Sequence, residues 1–294
     1  MEFKLNPLEI EYKNMRSVTR IKMELLNNMA YGLISLEERM HRKCTEYFQN
    51  VIQDFISENK YKHALEDIAT GVALLDVNIS AAKASIQYNY CRPSIVENET
   101  NTSYIKAEQV RHPIIERIND NYEYIPNDVD LSQDSVSGIL LYGCNMCGKS
   151  SYMKSVGLNV IMAQAGFYTS AESFEYSPYE YIFTRISGND NLFENQSSFA
   201  VEMLELRNIF KRCNSRSLVL GDELCRGTES VSGKAIVAAG ICKLRATNSQ
   251  FIFATHLHGL DTIDEVKSLT NVKAYHLSVE YCRTTERLIY DRHM

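Results

Sequence analysis

An α/β body with buried strands, preceded by an antiparallel pair of long helices, is the fold that this 294-residue sequence predicts. Three observations predict it. The apolar run from Val136 to Tyr142 leads into Gly143-Cys144-Asn145-Met146-Cys147-Gly148-Lys149-Ser150, after which Ser151 opens a helical stretch. Ser217 to Glu223 and Gln250 to His256 are two further apolar strands, ending in Asp222-Glu223 and Thr255-His256. Residues 8–92 contain no proline and only two glycines, and apolar side chains recur there at steps of three and four. Continuously apolar strands are buried on both faces, and in open α/β sheets ligands bind at the carboxyl ends of the strands.

The helical segment comes first. Leu33, Leu36, Met40, Cys44, Phe48, Val51 and Phe55 mark one face of an amphipathic helix that begins near Ser17. Glu58-Asn59-Lys60 reads as a turn, and Leu65, Ile68, Val72, Leu75, Ile79, Ala82 and Ile86 repeat the pattern in a second helix. The pair would form a stalk or lever, or else cap the body; the pattern fits either. Residues 102–131 read as short strands and turns, broken at Arg111-His112-Pro113 and Ile125-Pro126-Asn127. The α/β body runs from about Gly138 to Leu260. Val272 to Glu280 and Arg287 to Tyr290 alternate like a closing hairpin.

The chemistry lies in the strand ends. A glycine, four variable residues and Gly-Lys-Ser between a strand and a helix form a phosphate loop, whose backbone N–H groups enclose a phosphate at a helix N-terminus. Gly143, Asn145, Met146, Cys147, Gly148 and Ser151 would supply that cradle. Lys149 would reach the terminal phosphates, and the Ser150 hydroxyl would bind Mg²⁺. Asp222 would support the same ion, and Glu223 would polarise the water that attacks the γ-phosphate of ATP. His256 is placed to sense that phosphate. Cys144 and Cys147 form a Cys-x-x-Cys inside the loop; they fit two of its variable positions, or a thiol switch.

Composition excludes several classes. Net charge is −6, so the surface as a whole is no nucleic-acid footprint. No stretch approaches the ~20 apolar residues of a membrane span, and residues 1–13 lack a signal-peptide core. The eight cysteines are scattered, which predicts reduced thiols, an intracellular location (cytoplasm or nucleus) and no secretion.

From Tyr124 to Leu260 the chain resembles the ATPase domain of the MutS family, mismatch-repair ATPases of the ABC superfamily. Six ordered segments carry the likeness: Tyr124 to Val129, Gly143 to Ser155, Tyr181 to Ile186, Asn195 to Met203, Asp222 to Thr228 and Ala254 to Leu260. The resemblance implies an ABC-type P-loop nucleotide-binding domain over residues 93–294, with residues 1–92 as the end of a helical lever. It implies that Tyr124 stacks on adenine and that Ser197 is presented to nucleotide bound by a partner, in a homodimer or heterodimer with a MutS-like subunit. Asn195-Gln196 stands where the family has Gly-Arg, and Cys144, Cys147 and Cys225 replace a proline and two glycines. A positive backbone angle at such a cysteine would cost on the order of 1 kcal/mol or more.

The family's Phe-x-Glu mismatch wedge is absent from the sequence, so the chain resembles a fragment or a degenerate homologue. Expected function is ATP binding and hydrolysis that closes a dimer, coupled to mismatched or structured DNA held mainly by regions outside this chain. Two alternatives stand beside it. One is a MutS-like ATPase in recombination control or ribosome work; the other is a nucleotide-binding assembly module without turnover.

Overall fold

Alternation along the buried strands organises the fold. In the computed structural model, residues 11–294 are described except 16–17, 23, 58, 98–100, 119–123, 133–134, 145–146, 187–197, 283–286 and 290–291. The chain forms two compact units, Met1–Val77 and Asn78–Met294.

In the first unit, β1 (Glu11–Met15) and β2 (Val18–Lys22) pair antiparallel, with Met15 opposite Val18. The apolar period predicts a first helix from near Ser17. It begins instead at Glu24, because β-branched Val18, Thr19 and Ile21 favour extended backbone. Helix α1 (Glu24–Ser57) carries the predicted stripe, yet none of its residues is buried, and Leu33, Leu36, Met40, Phe48 and Phe55 are half exposed or more. Helix α2 (Asn59–Gln87) crosses from this unit into the next, and Leu65, Ile68, Val72 and Leu75 along it are likewise exposed. Phe55 and Tyr61 stack across the junction, with ring centroids 5.6 Å apart. No helix among the described residues is long and apolar enough to cross a membrane.

The second unit continues with β3 (Ser94–Ile95), β4 (Tyr104–Val110), α3 (Ile115–Ile118), β5 (Asn127–Leu131), β6 (Gly138–Tyr142) and α4 (Lys149–Gln164). There follow β7 (Ser173–Ser177), β8 (Tyr181–Arg185), α5 (Ser198–Arg212), β9 (Ser217–Asp222), α6 (Ser230–Ala246) and β10 (Gln250–Ala254). A 3₁₀ turn (Leu260–Thr262), α7 (Asp264–Lys267), β11 (Val272–His276), β12 (Glu280–Cys282) and β13 (Arg287–Ile289) complete it. Five strands form a parallel sheet in the order β11-β6-β10-β9-β8. A second sheet has the order β3-β7-β4-β5, with β4 antiparallel to both neighbours.

Period-two alternation divides the core. Ile139 and Leu141 of β6, Leu218 and Leu220 of β9 and Ile252 of β10 pack with Met153, Val156 and Val160 of α4, and Ile105 and Leu131 of the second sheet join them. Leu140, Tyr142, Val219, Phe251 and Phe253 project the other way, onto Leu206 and Ile209 of α5 and Val237, Ile241 and Leu244 of α6. Helix α4 therefore lies between the two sheets. It approaches β9 closely because Gly157 has no side chain: a Cβ there would stand 2.6 Å from Leu220 Cδ1.

The expected closing hairpin is only partly present. Val272–His276 joins the edge of the parallel sheet beside β6, while β12 and β13 pair antiparallel with each other. Half-exposed β11 has an alternating pattern because it is an edge strand, not because it turns back on a hairpin partner.

Candidate functional site

The sheet order sets the three strand-end motifs side by side. Ala254, at the end of β10, lies opposite Leu141 of β6 on one side and Asp222 of β9 on the other. Beyond the strands, the Thr255 N–H donates to the Leu141 carbonyl at 3.0 Å and the Glu223 N–H donates to the Ala254 carbonyl at 2.8 Å. The ends of β6, β10 and β9 are thus stitched together where the loops begin.

Between β6 and α4 the chain turns through Gly143 at φ +153° and Gly148 at φ +108°, a backbone region that glycine enters freely. A Cβ on Gly143 would also meet Cys147 Sγ at 2.6 Å. Helix α4 starts at Lys149, and the N–H groups of its first turn have no intrahelical acceptor. The Lys149 ammonium is almost fully buried and donates to the carbonyls of Gly143 (2.7 Å) and Cys144 (3.0 Å). Ser150 and Ser151 are partly exposed on the same turn. Cys144 is exposed and Cys147 buried, both as free thiols. Neither stands at positive φ; Cys225 does, at +60°, so the expected strain falls after β9 rather than in the loop. Asn145, Met146 and Ser197 lie outside the described residues.

Asp222 is the buried last residue of β9. Glu223 follows at φ +50°, a left-handed conformation uncommon outside glycine, which aims its carboxylate across the strand ends. His256 Nε2–H donates to Glu223 Oε1 at 2.8 Å, and Arg226 donates to Glu223 Oε2 at 2.7 Å. The Lys149 ammonium lies 3.4 Å from the same histidine nitrogen. A nitrogen bearing the proton shared with Glu223 cannot also accept from lysine, so this second approach is a contact and not a second hydrogen bond. Lys149, His256 and Glu223 are thereby brought together.

The turn after Glu223 is fixed from α5. Buried Glu202 accepts the Cys225 N–H at 2.9 Å. Burial, with the Glu202 charge adding, pushes the Cys225 thiol up to about 11. On β6, the Tyr142 ring stacks between His258 (5.9 Å) and His276 (5.3 Å), and burial raises its phenol to about 12.

Tyr124 is half-buried and, with Asn127, Gly148, Ser151, Leu277 and Arg292, lines a cavity of about 210 Å³ beside the loop. Burial pushes its phenol above the ordinary value. Asn127, Leu277 and Arg292 are the site residues that motif reading missed. Asn127 stands in the Tyr124-to-Val129 segment, but Arg292 reaches it across 165 positions, which no local pattern signals.

The profile of MutS domain V matches residues 139–294. A mutS homolog of Acanthamoeba polyphaga mimivirus is 38% identical over 93% of this chain and 27% of its own length. The mitochondrial DNA mismatch repair protein mutS homolog of Sarcophyton glaucum is 35% identical over 91% of the chain and 26% of itself. DNA mismatch repair protein MutS of Lactobacillus johnsonii is 39% identical over 72% of the chain and 25% of itself. The chain spans about a quarter of the length of these curated relatives. With the profile covering more than half of its residues, the chain belongs to the MutS family.

Proposed function

We propose that this chain binds and hydrolyses MgATP as the ATPase module of a MutS-like mismatch-repair protein. The observation that carries the reading is the convergence of three strand ends, with Lys149, His256 and Glu223 in consecutive contact at 3.4 and 2.8 Å. The first turn of α4 and the glycine-shaped loop hold the phosphates by backbone N–H groups and helix dipole. Lys149 meets the terminal phosphates. Tyr124 packs against the base in a cavity that is small beside the roughly 300–1,000 Å³ of drug-sized sites, so the terminal phosphates run outside it along the loop.

A hydroxyl in the first turn of α4 (Ser150) and a carboxylate at the end of β9 (Asp222) are hard oxygen donors, which fit Mg²⁺ better than a softer metal. Bound there, Mg²⁺ would neutralise charge on the β- and γ-phosphate oxygens. Glu223 accepts the proton of the attacking water, and His256 holds Glu223 in place and meets the γ-phosphate. Ser197 completes the site of a partner subunit, homologous or identical, so that ATP closes the dimer and hydrolysis reopens it. The helices of residues 1–92 act as the lever that carries this change to DNA-binding parts outside the chain. The site is assigned to residues 93–294 and to an intracellular protein.

One observation favours a second reading, nucleotide retention without turnover. Both oxygens of Glu223 are already hydrogen-bonded, to His256 and to Arg226, which leaves the base engaged. Phosphate release measured against protein concentration separates the two. Specific activity that rises with concentration supports the paired ATPase; retained nucleotide with no phosphate release supports the assembly module.

A further inference from the structure

Arg292 occupies a place that the proposed machinery does not use. It lies where the chain returns past the loop, and four hydrogen bonds fix that return. The Arg292 N–H donates to the Ser278 carbonyl (3.2 Å), and the Ser278 N–H donates to the His293 carbonyl (2.9 Å). Asn127 Nδ2 donates to the Arg292 carbonyl (3.0 Å), and Asn127 Oδ1 accepts the Met294 N–H (2.8 Å). The residue is held at φ +60°, outside the regions that side-chain-bearing residues prefer. Its Cδ is 3.9 Å from where a Cβ on Gly148 would be, and its side chain lines the Tyr124 cavity together with Ser151. The guanidinium has no hydrogen bond or ion pair among the described residues.

Two other cations at the strand ends, among the described residues, are engaged. Lys149 donates to loop carbonyls beside His256, and Arg226 is paired with Glu223. Arg292 instead lines the cavity that lies between Tyr124 and the first turn of α4, with Gly148 and Ser151. A nucleotide whose base lies on Tyr124 and whose terminal phosphates lie at Lys149 has its α-phosphate in that cavity. We propose that Arg292 is an α-phosphate ligand of the nucleotide site, donating from its planar fork to that phosphate's oxygens. The inference rests on the MgATP reading above and adds a contact to it.

Recognition of the α-phosphate has a signature. Loss of Arg292 weakens ATP and ADP equally, because both carry that group, and it leaves discrimination between bases untouched. The side chain is exposed, so the effect is moderate and falls as salt rises. All four hydrogen bonds of the return run through backbone atoms of 292–294, so a side-chain exchange leaves the return in place.

The test is titration of ATP, ADP and GTP with Mg²⁺ into wild type, R292Q and R292K, at low and high salt, with thermal melting to verify folding. The expected result is an affinity roughly tenfold lower in R292Q for ATP and ADP alike. The ATP-to-GTP ratio should be unchanged, R292K should recover part of the loss, and high salt should shrink it. Unchanged affinity in R292Q, or a change confined to the ATP-to-GTP ratio, overturns the assignment while leaving the MgATP site standing. Wild type that binds none of the three nucleotides overturns both.

Discussion

Glu223 and His256, from the ends of adjacent parallel strands, share a hydrogen bond of 2.8 Å. The bond spans two segments separated by 33 positions, and its geometry depends on the left-handed backbone of Glu223. It orients the carboxylate oxygen that the proposed mechanism uses as a base.

Glu223→Gln therefore keeps the shape of the site and removes the base. MgATP affinity should stay within a few-fold of wild type, while single-turnover phosphate release should fall about 10²- to 10⁴-fold. Undiminished release in this variant would take Glu223 out of the mechanism.

Gly148→Ala should damage the loop without touching the core. At φ +108° an added Cβ costs on the order of 1–3 kcal/mol of backbone strain, which the loop relieves by leaving its phosphate-binding shape. Calorimetry should find ATP binding weakened at least tenfold, with the melting temperature changed little.

Gly157→Ala tests the packing of α4. Its new methyl would collide with Leu220, which is buried in the middle of β9. Overpacking of this kind costs about 1–3 kcal/mol. Denaturant unfolding should show that loss, and nucleotide affinity should fall with it if α4 shifts.

His112 should make stability depend on pH. Its Nδ1 accepts the N–H groups of Ile114 and Ile115, both at 3.3 Å, and burial, ahead of its other influences, holds its pKa below the ordinary 6.5. The folded state thus prefers the neutral ring. That contribution is complete above pH 6.5 and is lost as pH falls from there toward the depressed folded value. Melting temperature should decline over this window in wild type, and less steeply in His112→Asn, which cannot take up the proton.

Legibility in the sequence tracked how local each cause was. Strands β6, β9 and β10 were readable because each is an unbroken apolar run ending in residues with distinct chemistry, and burial on both faces imposes that pattern. Long helices α1 and α2 were readable from period alone, but the period cannot tell whether their stripes are covered. Strand β11 is not legible as a sheet edge, because an edge strand alternates as a hairpin does. Val18–Lys22 is ambiguous in the sequence because its β-branched residues also fit the start of a helical period. The contacts of Glu202 with Cys225 and of Asn127 with Arg292 link distant segments, so no neighbouring residue announces them. The strain at Cys225 was foreseeable as a risk wherever cysteine replaces glycine; which of the three cysteines bears it depends on the turn after β9.

If the ends of β6, β9 and β10 form one MgATP site, Lys149 is its most direct probe. Titration of ATP with Mg²⁺ into wild type and Lys149→Ala should show saturable binding in the first and at least a tenfold loss in the second. Equal affinity in the two proteins would contradict the account.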